Sequence, residues 1–115
     1  MDNLNSATDV HQEVAMYDMK SLLKLKTLEA HAPEATKAFW AFDKAAWAGG
    51  AIPRKYKELM AIAVALTIQC PYCIELHVDR AKELGASAPE IAETVLAAAA
   101  LRAGGAITHG THAMK

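Results

Sequence analysis

Cys70, Cys73 and His77 crowd into Cys70-Pro71-Tyr72-Cys73-Ile74-Glu75-Leu76-His77, in a chain of 115 residues with only 2 cysteines and 5 histidines. Pro71 suits the first position of a helix, where its missing N–H is not needed and its fixed φ is already helical. Cys70 then sits at the N-cap. A sulfur there faces unpaired backbone N–H groups and the positive end of the helix dipole, which favour thiolate over thiol and can lower a cysteine pKa from about 8.5 into the range ~3.5–7.5. Cys73 and His77 are one helical turn apart, so the imidazole lies over the second thiol and could exchange a proton with it. The pattern reads as a redox site.

Two other readings compete with this one. A lone cysteine is most often a small buried apolar residue, and a lone helix histidine is most often a satisfied or solvated side chain. The co-occurrence of two thiols at disulfide-capable separation, a proline between them and a histidine one turn on weighs against that reading. Structural zinc needs two further ligands, and the only other close pair, His109-x-x-His112, lies too far along the chain for a finger spacing. No metal and no cofactor is expected.

The elements that must position these residues are helices. Residues 1–8 are polar and read as frayed. From Asp9, with Gln12 placed as a capping-box partner, a first helix is expected to about Ala30, carrying Val14, Met16, Met19, Leu22, Leu23 and Leu28 on its apolar side. Pro33 and Glu34 open a second, which Gly49-Gly50 stops. Its Phe39 and Phe42, with Trp40 and Trp47 on another stripe, read as core or subunit contact. Pro53 restarts helicity, and the near-continuous apolar run Leu59–Ile68 implies burial on every side. The third and fourth helices make an αα-hairpin about the Cys70 corner, the fourth running to Leu84 with Gly85 at C′. Ser87-Ala88-Pro89-Glu90 is a capping box for a fifth helix. Gly104-Gly105 either ends that helix or lets another backbone pack closely against it. No β-type alternation appears, so the expected fold is all-α, with about five helices in a single domain spanning 1–115.

The pattern Glu58-x11-Cys70-x2-Cys73-x3-His77 resembles the alkylhydroperoxidase D core of the carboxymuconolactone decarboxylase-like family. The likeness runs over residues 53–112. It implies a helical fold with a central antiparallel hairpin, a fifth helix that continues towards His112, and a homo-oligomer, trimer or hexamer. It also implies a cysteine-dependent peroxidase whose site residues are Glu58, Cys70, Cys73 and His77, with a peroxide as substrate and an external thiol or dithiol as reductant. The better-known peroxidases of the family have a histidine directly before the second cysteine; this chain has Tyr72 there, a candidate substitute in the proton relay.

On a straight helix Glu58 would lie ~18 Å before Cys70, out of reach of its sulfur. A hairpin folded at about residue 69 instead brings Glu58 near His77. The expected relay runs from Glu58 to His77 to Cys73. Cys73 attacks peroxide and Cys70 resolves the sulfenic acid, although the dipole argument alone would favour Cys70 as the thiolate. The alternatives are a lactone decarboxylase, which gains nothing from a cysteine pair, and a non-enzymatic redox-sensing helical oligomer.

Composition excludes other classes. A net charge of −1, with no basic run beyond Arg54-Lys55, argues against nucleic-acid or anionic-membrane partners. A hydrophobic fraction of 53% in so short a chain points to apolar faces in excess of one small core. Leu59–Ile68 is too short to span a membrane, and Arg102 interrupts Val95–Ile107, so no membrane partner is expected. The first residues carry no signal-peptide pattern, so a cytoplasmic location is expected. In a reducing compartment a close cysteine pair is more plausibly redox-cycling than a permanent staple.

Overall fold

The computed structural model describes residues 17–115. The frayed segment 1–8 and the helix start around Asp9, Gln12, Val14 and Met16 lie outside the described residues. The described residues form helices and the short segments that join them, with α1 (Leu25–His31), α2 (Pro33–Trp47), α3 (Arg54–Ile68), α4 (Pro71–Glu83) and α5 (Ala88–His109). Short 3-10 segments, Met19–Lys24 and Gly110–Ala113, precede α1 and follow α5. The all-α class and the number of α-helices match the sequence reading.

The described chain divides into two compact units, one ending at Ala41 and the other Phe42–Lys115. In the first, the expected helix through Ala30 is not continuous. Asp18 is in extended backbone and its carboxylate accepts the Lys20 N–H at 2.9 Å, which starts a 3-10 segment there. Short polar side chains that bond the backbone locally favour such starts over helix interiors. Leu23 and Leu28, expected on an apolar side, are exposed. Phe39 and Trp40 meet edge to face at 5.1 Å and are also exposed.

The second unit is built on α3, against which both α4 and α5 pack. Its buried residues are small, Ala61, Ala65, Ala81 and Ala98, around Ile62, which is only 1% exposed. Alanine at these contacts lets helix backbones approach closely. Within this single chain, α3 is not buried on all sides as expected. Met60, Val64 and Ile68, spaced one turn apart, are 52%, 56% and 65% exposed. A helix in a bundle this small meets neighbours on only part of its circumference, so an all-round apolar sequence leaves one stripe uncovered.

Local signals set the corners. Gln69 closes α3 in the left-handed region at φ 56°, and Cys70 then donates its N–H to Ala65 O at 3.1 Å. Gly85, at φ 90°, occupies the C′ position after α4, where a side chain would be strained. Ser87 and Glu90 form the reciprocal capping box, at 3.2 and 2.9 Å. The helix α5 runs straight through Gly104-Gly105, and no atom of another element comes within 4 Å of a Cβ built at either glycine. Among the described residues, these glycines therefore neither end the helix nor admit a close backbone.

One further expectation needs correcting. With its 3-10 extension, the last helix, Ala88–Ala113, has a mean hydropathy of 1.3 over its most apolar window, which is long and apolar enough to cross a membrane. The single Arg102 does not offset so much alanine. That arginine is tied to the bundle, its Nη1 donating to Thr67 O of α3 at 2.8 Å.

Replacing Ser87 by alanine removes one half of the capping box, so unfolding should occur at lower denaturant with a loss of about 1 kcal/mol. An unchanged midpoint, measured by circular dichroism, would show that the box contributes nothing to α5.

Candidate active site: a dithiol corner backed by a buried carboxylate

Cys70 is the N-cap of α4, with Pro71 in the first turn. Its sulfur accepts the Cys73 N–H at 3.4 Å, a use of an orphan helix N–H by a thiol. Both cysteines are free and partly buried, and their sulfurs lie 2.6 Å apart, against about 2.05 Å in a disulfide. Little movement separates dithiol from disulfide.

The hairpin brings Glu58, in the second turn of α3, against His77, in the second turn of α4. Glu58 Oε2 lies 2.5 Å from His77 Nδ1. Sequence alone allowed Glu58 to be a surface charge near a helix start. Instead it is 2% exposed. A carboxylate in such a place needs a partner, because burying an unpaired charge is very costly. An ionised carboxylate only accepts, so with Glu58 ionised Nδ1 would carry the proton of this bond and Nε2 would be the nitrogen left for proton exchange.

His77 and Cys73 both line an apolar cavity of about 430 Å³, whose wall includes Trp47, Met60, Val64 and Ile68. The exposed stripe of α3 is thus one side of the cavity. Cys70 and Glu58 do not line it. Burial, followed by the hydrogen bond to Cys70 and the charge Cys70 can carry, pushes the Cys73 thiol up from 9.0 to about 11. Of the two sulfurs, the one facing the cavity is therefore held as a thiol at neutral pH and needs a base to react.

Three neighbours escaped the sequence reading as parts of this site. The Trp47 ring lies 4.9 Å from the His77 ring, inclined at 46°. Asp43 Oδ1 accepts the Trp47 Nε1–H at 2.9 Å. Lys57 donates from Nζ to Ala46 O at 2.9 Å and Ala48 O at 2.6 Å, closing the end of α2. The Asp43–Trp47 spacing of one turn was legible; the approach of Trp47 to His77 was not. The rings of His109 and His112 meet at 5.8 Å, and among the described residues no three histidine, cysteine or carboxylate side chains converge as a metal site.

Fold and site together define a class: small all-helical proteins with a dithiol at the corner of a helical hairpin. Residues 33–115 match the carboxymuconolactone decarboxylase family, and the chain belongs to it. A carboxymuconolactone decarboxylase family protein from Legionella pneumophila, whose crystal structure is known, is similar at a TM-score of 0.69 and 30% identity, over 77% of this chain and 80% of its own. A crystal structure of a Methanobacterium thermoautotrophicum protein is similar at a TM-score of 0.72 and 27% identity, over 76% of this chain and 99% of that one. In Paracoccus denitrificans, the protein called uncharacterized protein 4 in cox locus is 44% identical over 77 residues, covering 67% of this chain and 69% of its own.

The titration of Cys73 has two separable causes, and a substitution distinguishes them. In reduced Cys70→Ala, thiolate absorbance should appear at a pH below about 11 yet still above 9.0, because the Cys70 contributions vanish and burial, the largest cause, stays. The raised value favours the neutral thiol, so Cys73 alkylation should accelerate as pH rises through this range. A titration left at about 11 would assign the whole shift to burial.

Proposed function

We propose that this protein is a cysteine-dependent peroxidase of the alkylhydroperoxidase type. The observation that carries the reading is the arrangement at the hairpin. Two free thiols lie 2.6 Å apart, and the cavity-facing one shares its cavity with a histidine bonded to a buried carboxylate. The family to which the chain belongs includes alkylhydroperoxidase-like members, which adds to it. A lactone decarboxylase would leave the dithiol without a role, and a passive redox sensor would leave Glu58 buried without one.

In the proposed cycle His77, through Nε2, takes the proton of Cys73, and Glu58 stabilises the imidazolium. The Cys73 thiolate attacks one peroxide oxygen and the O–O bond breaks, releasing an alcohol and leaving a sulfenic acid. His77 returns its proton to the departing alkoxide. Cys70 then attacks the sulfenic sulfur, expelling water and forming the disulfide. The sum is dithiol plus hydroperoxide to disulfide, alcohol and water. An external thiol or dithiol reduces the disulfide, as suits a reducing cytoplasm, entering at Cys70 on the helix corner. Tyr72, in place of the histidine of the better-known peroxidases, is a candidate contributor to proton transfer.

If Glu58, His77 and Cys73 act as one unit, losses on replacing the first two should be non-additive. Glu58→Gln and His77→Gln should each slow single-turnover oxidation by peroxide by ~10²-fold or more, and the double variant little further. Mass spectrometry should record a loss of two hydrogens per chain in the wild type. Multiplicative losses, or a fast, folded Glu58→Gln, would break the relay reading.

The protein is further proposed to act as a homo-oligomer, a trimer or hexamer by family resemblance. Besides the α3 stripe, Leu96, Leu101 and Ile107 of α5 are exposed, and a second copy of the chain would cover such faces. A membrane is the poorer cover for α5, since an arginine in mid-helix costs roughly 2.5–3.5 kcal/mol at a bilayer centre. Sedimentation equilibrium at micromolar concentration should give a mass of at least three chains. A monomer would refute this.

A further inference from the structure

His77 is fixed at one ring nitrogen by Glu58, which still leaves the imidazole free to tilt about that hydrogen bond. Nε2, the nitrogen that must meet Cys73, lies on the far side of the ring and swings with any such tilt. Among the described residues the ring placed to limit it is Trp47, 4.9 Å from His77. The indole is itself held twice. Asp43 accepts its Nε1–H, and Lys57 ties the carbonyls of Ala46 and Ala48 on either side of it in sequence. Lys57 is next to Glu58, so neighbouring residues of α3 anchor both the indole and the imidazole. Trp47 is also a wall of the cavity that Cys73 and His77 share, and so limits water at their proton exchange.

We propose that Trp47, held by Asp43 and Lys57, is a positioning residue that sets the orientation of the His77 imidazole for proton exchange with Cys73. This rests on the reading that His77 serves Cys73 and extends it to a second layer of residues. In the proposed cycle Trp47 neither gives nor takes a proton. Its effect is through ring orientation, where small misplacements carry large rate penalties. Asp43 acts one step further out, since without its carboxylate the indole loses the bond that selects its rotamer.

The test uses the Cys70→Ala protein and iodoacetamide, so that only Cys73 reacts and no peroxide is needed. Cys73 gives its proton to His77, its sulfur bonds the acetamide carbon, and iodide leaves. Trp47→Leu should slow this alkylation about tenfold at neutral pH, part of the ~10²–10⁴-fold that acid–base assistance provides. The loss should shrink at high pH, where hydroxide replaces the base. Trp47→Phe, which keeps a ring over His77, should recover most of the rate. Asp43→Leu should lose a smaller factor that Asp43→Asn, still an acceptor, restores. As a readout independent of alkylation, Trp47 emission in a Trp40→Phe background should change in intensity on His77→Gln, because the two rings are in contact. Trp47→Leu and Trp47→Phe equally slow, or Trp47→Leu as fast as its parent while His77→Gln is slow, would overturn the positioning role alone. An unchanged rate in His77→Gln would overturn the relay and this role with it, and emission blind to His77 would deny the ring contact.

Discussion

The bond between Glu58 and His77 is the constraint on which the hairpin and its chemistry depend. It joins residues 19 apart in sequence, from two helices running in opposite directions, and it lies where water does not reach the carboxylate. Sliding α4 by one residue along α3 would leave that carboxylate buried and unpaired, an outcome worth several kcal/mol in the wrong direction. The pair therefore selects a register that the small alanine contacts at Ala61, Ala65 and Ala81 would specify only loosely. Lys57 extends the same constraint to α2, so two adjacent residues of one helix tie down both of the others nearest the site.

Once the register is set, the two thiols acquire different characters. Cys70 caps a helix and accepts a backbone N–H, while Cys73, one turn in, faces an apolar cavity and resists ionisation. In the proposed cycle the cavity presents Cys73 to the peroxide. There Cys73 would be ionised only at the moment of reaction by the base beside it, with Cys70 standing 2.6 Å away to complete the disulfide. A thiol kept neutral until a substrate displaces water is also protected from incidental oxidation, since the thiolate is the reactive form.

The same apolar residues serve the proposed substrate site and leave the chain incomplete. Met60, Val64 and Ile68 wall the cavity and are open on their outer side. With a core made mostly of alanine, the chain buries few large side chains, and a homo-oligomer would supply the missing cover. In that view assembly and site formation are coupled.

What the sequence determined by itself was local. Cys70-Pro71 as a helix start, Gly85 as a helix end and Ser87 with Glu90 as a capping box depend on atoms within a few residues of one another, and side-chain chemistry dictates them before any tertiary contact forms. The helical period and the absence of β alternation determined the all-α class in the same way, and the spacing of Glu58, Cys70, Cys73 and His77 carried the family resemblance. Helix rotation and partnership were not legible. An alanine-rich or uniformly apolar helix has no strongly preferred face, so nothing in Leu59–Ile68 said that Met60, Val64 and Ile68 would remain open, nor anything in α2 that Trp47 would turn to His77. The burial of Glu58 and the clamp made by Lys57 likewise depend on which helices meet, and at what register. Tertiary structure alone decided these, because they are contacts between distant residues whose free energy exists only once the hairpin has closed.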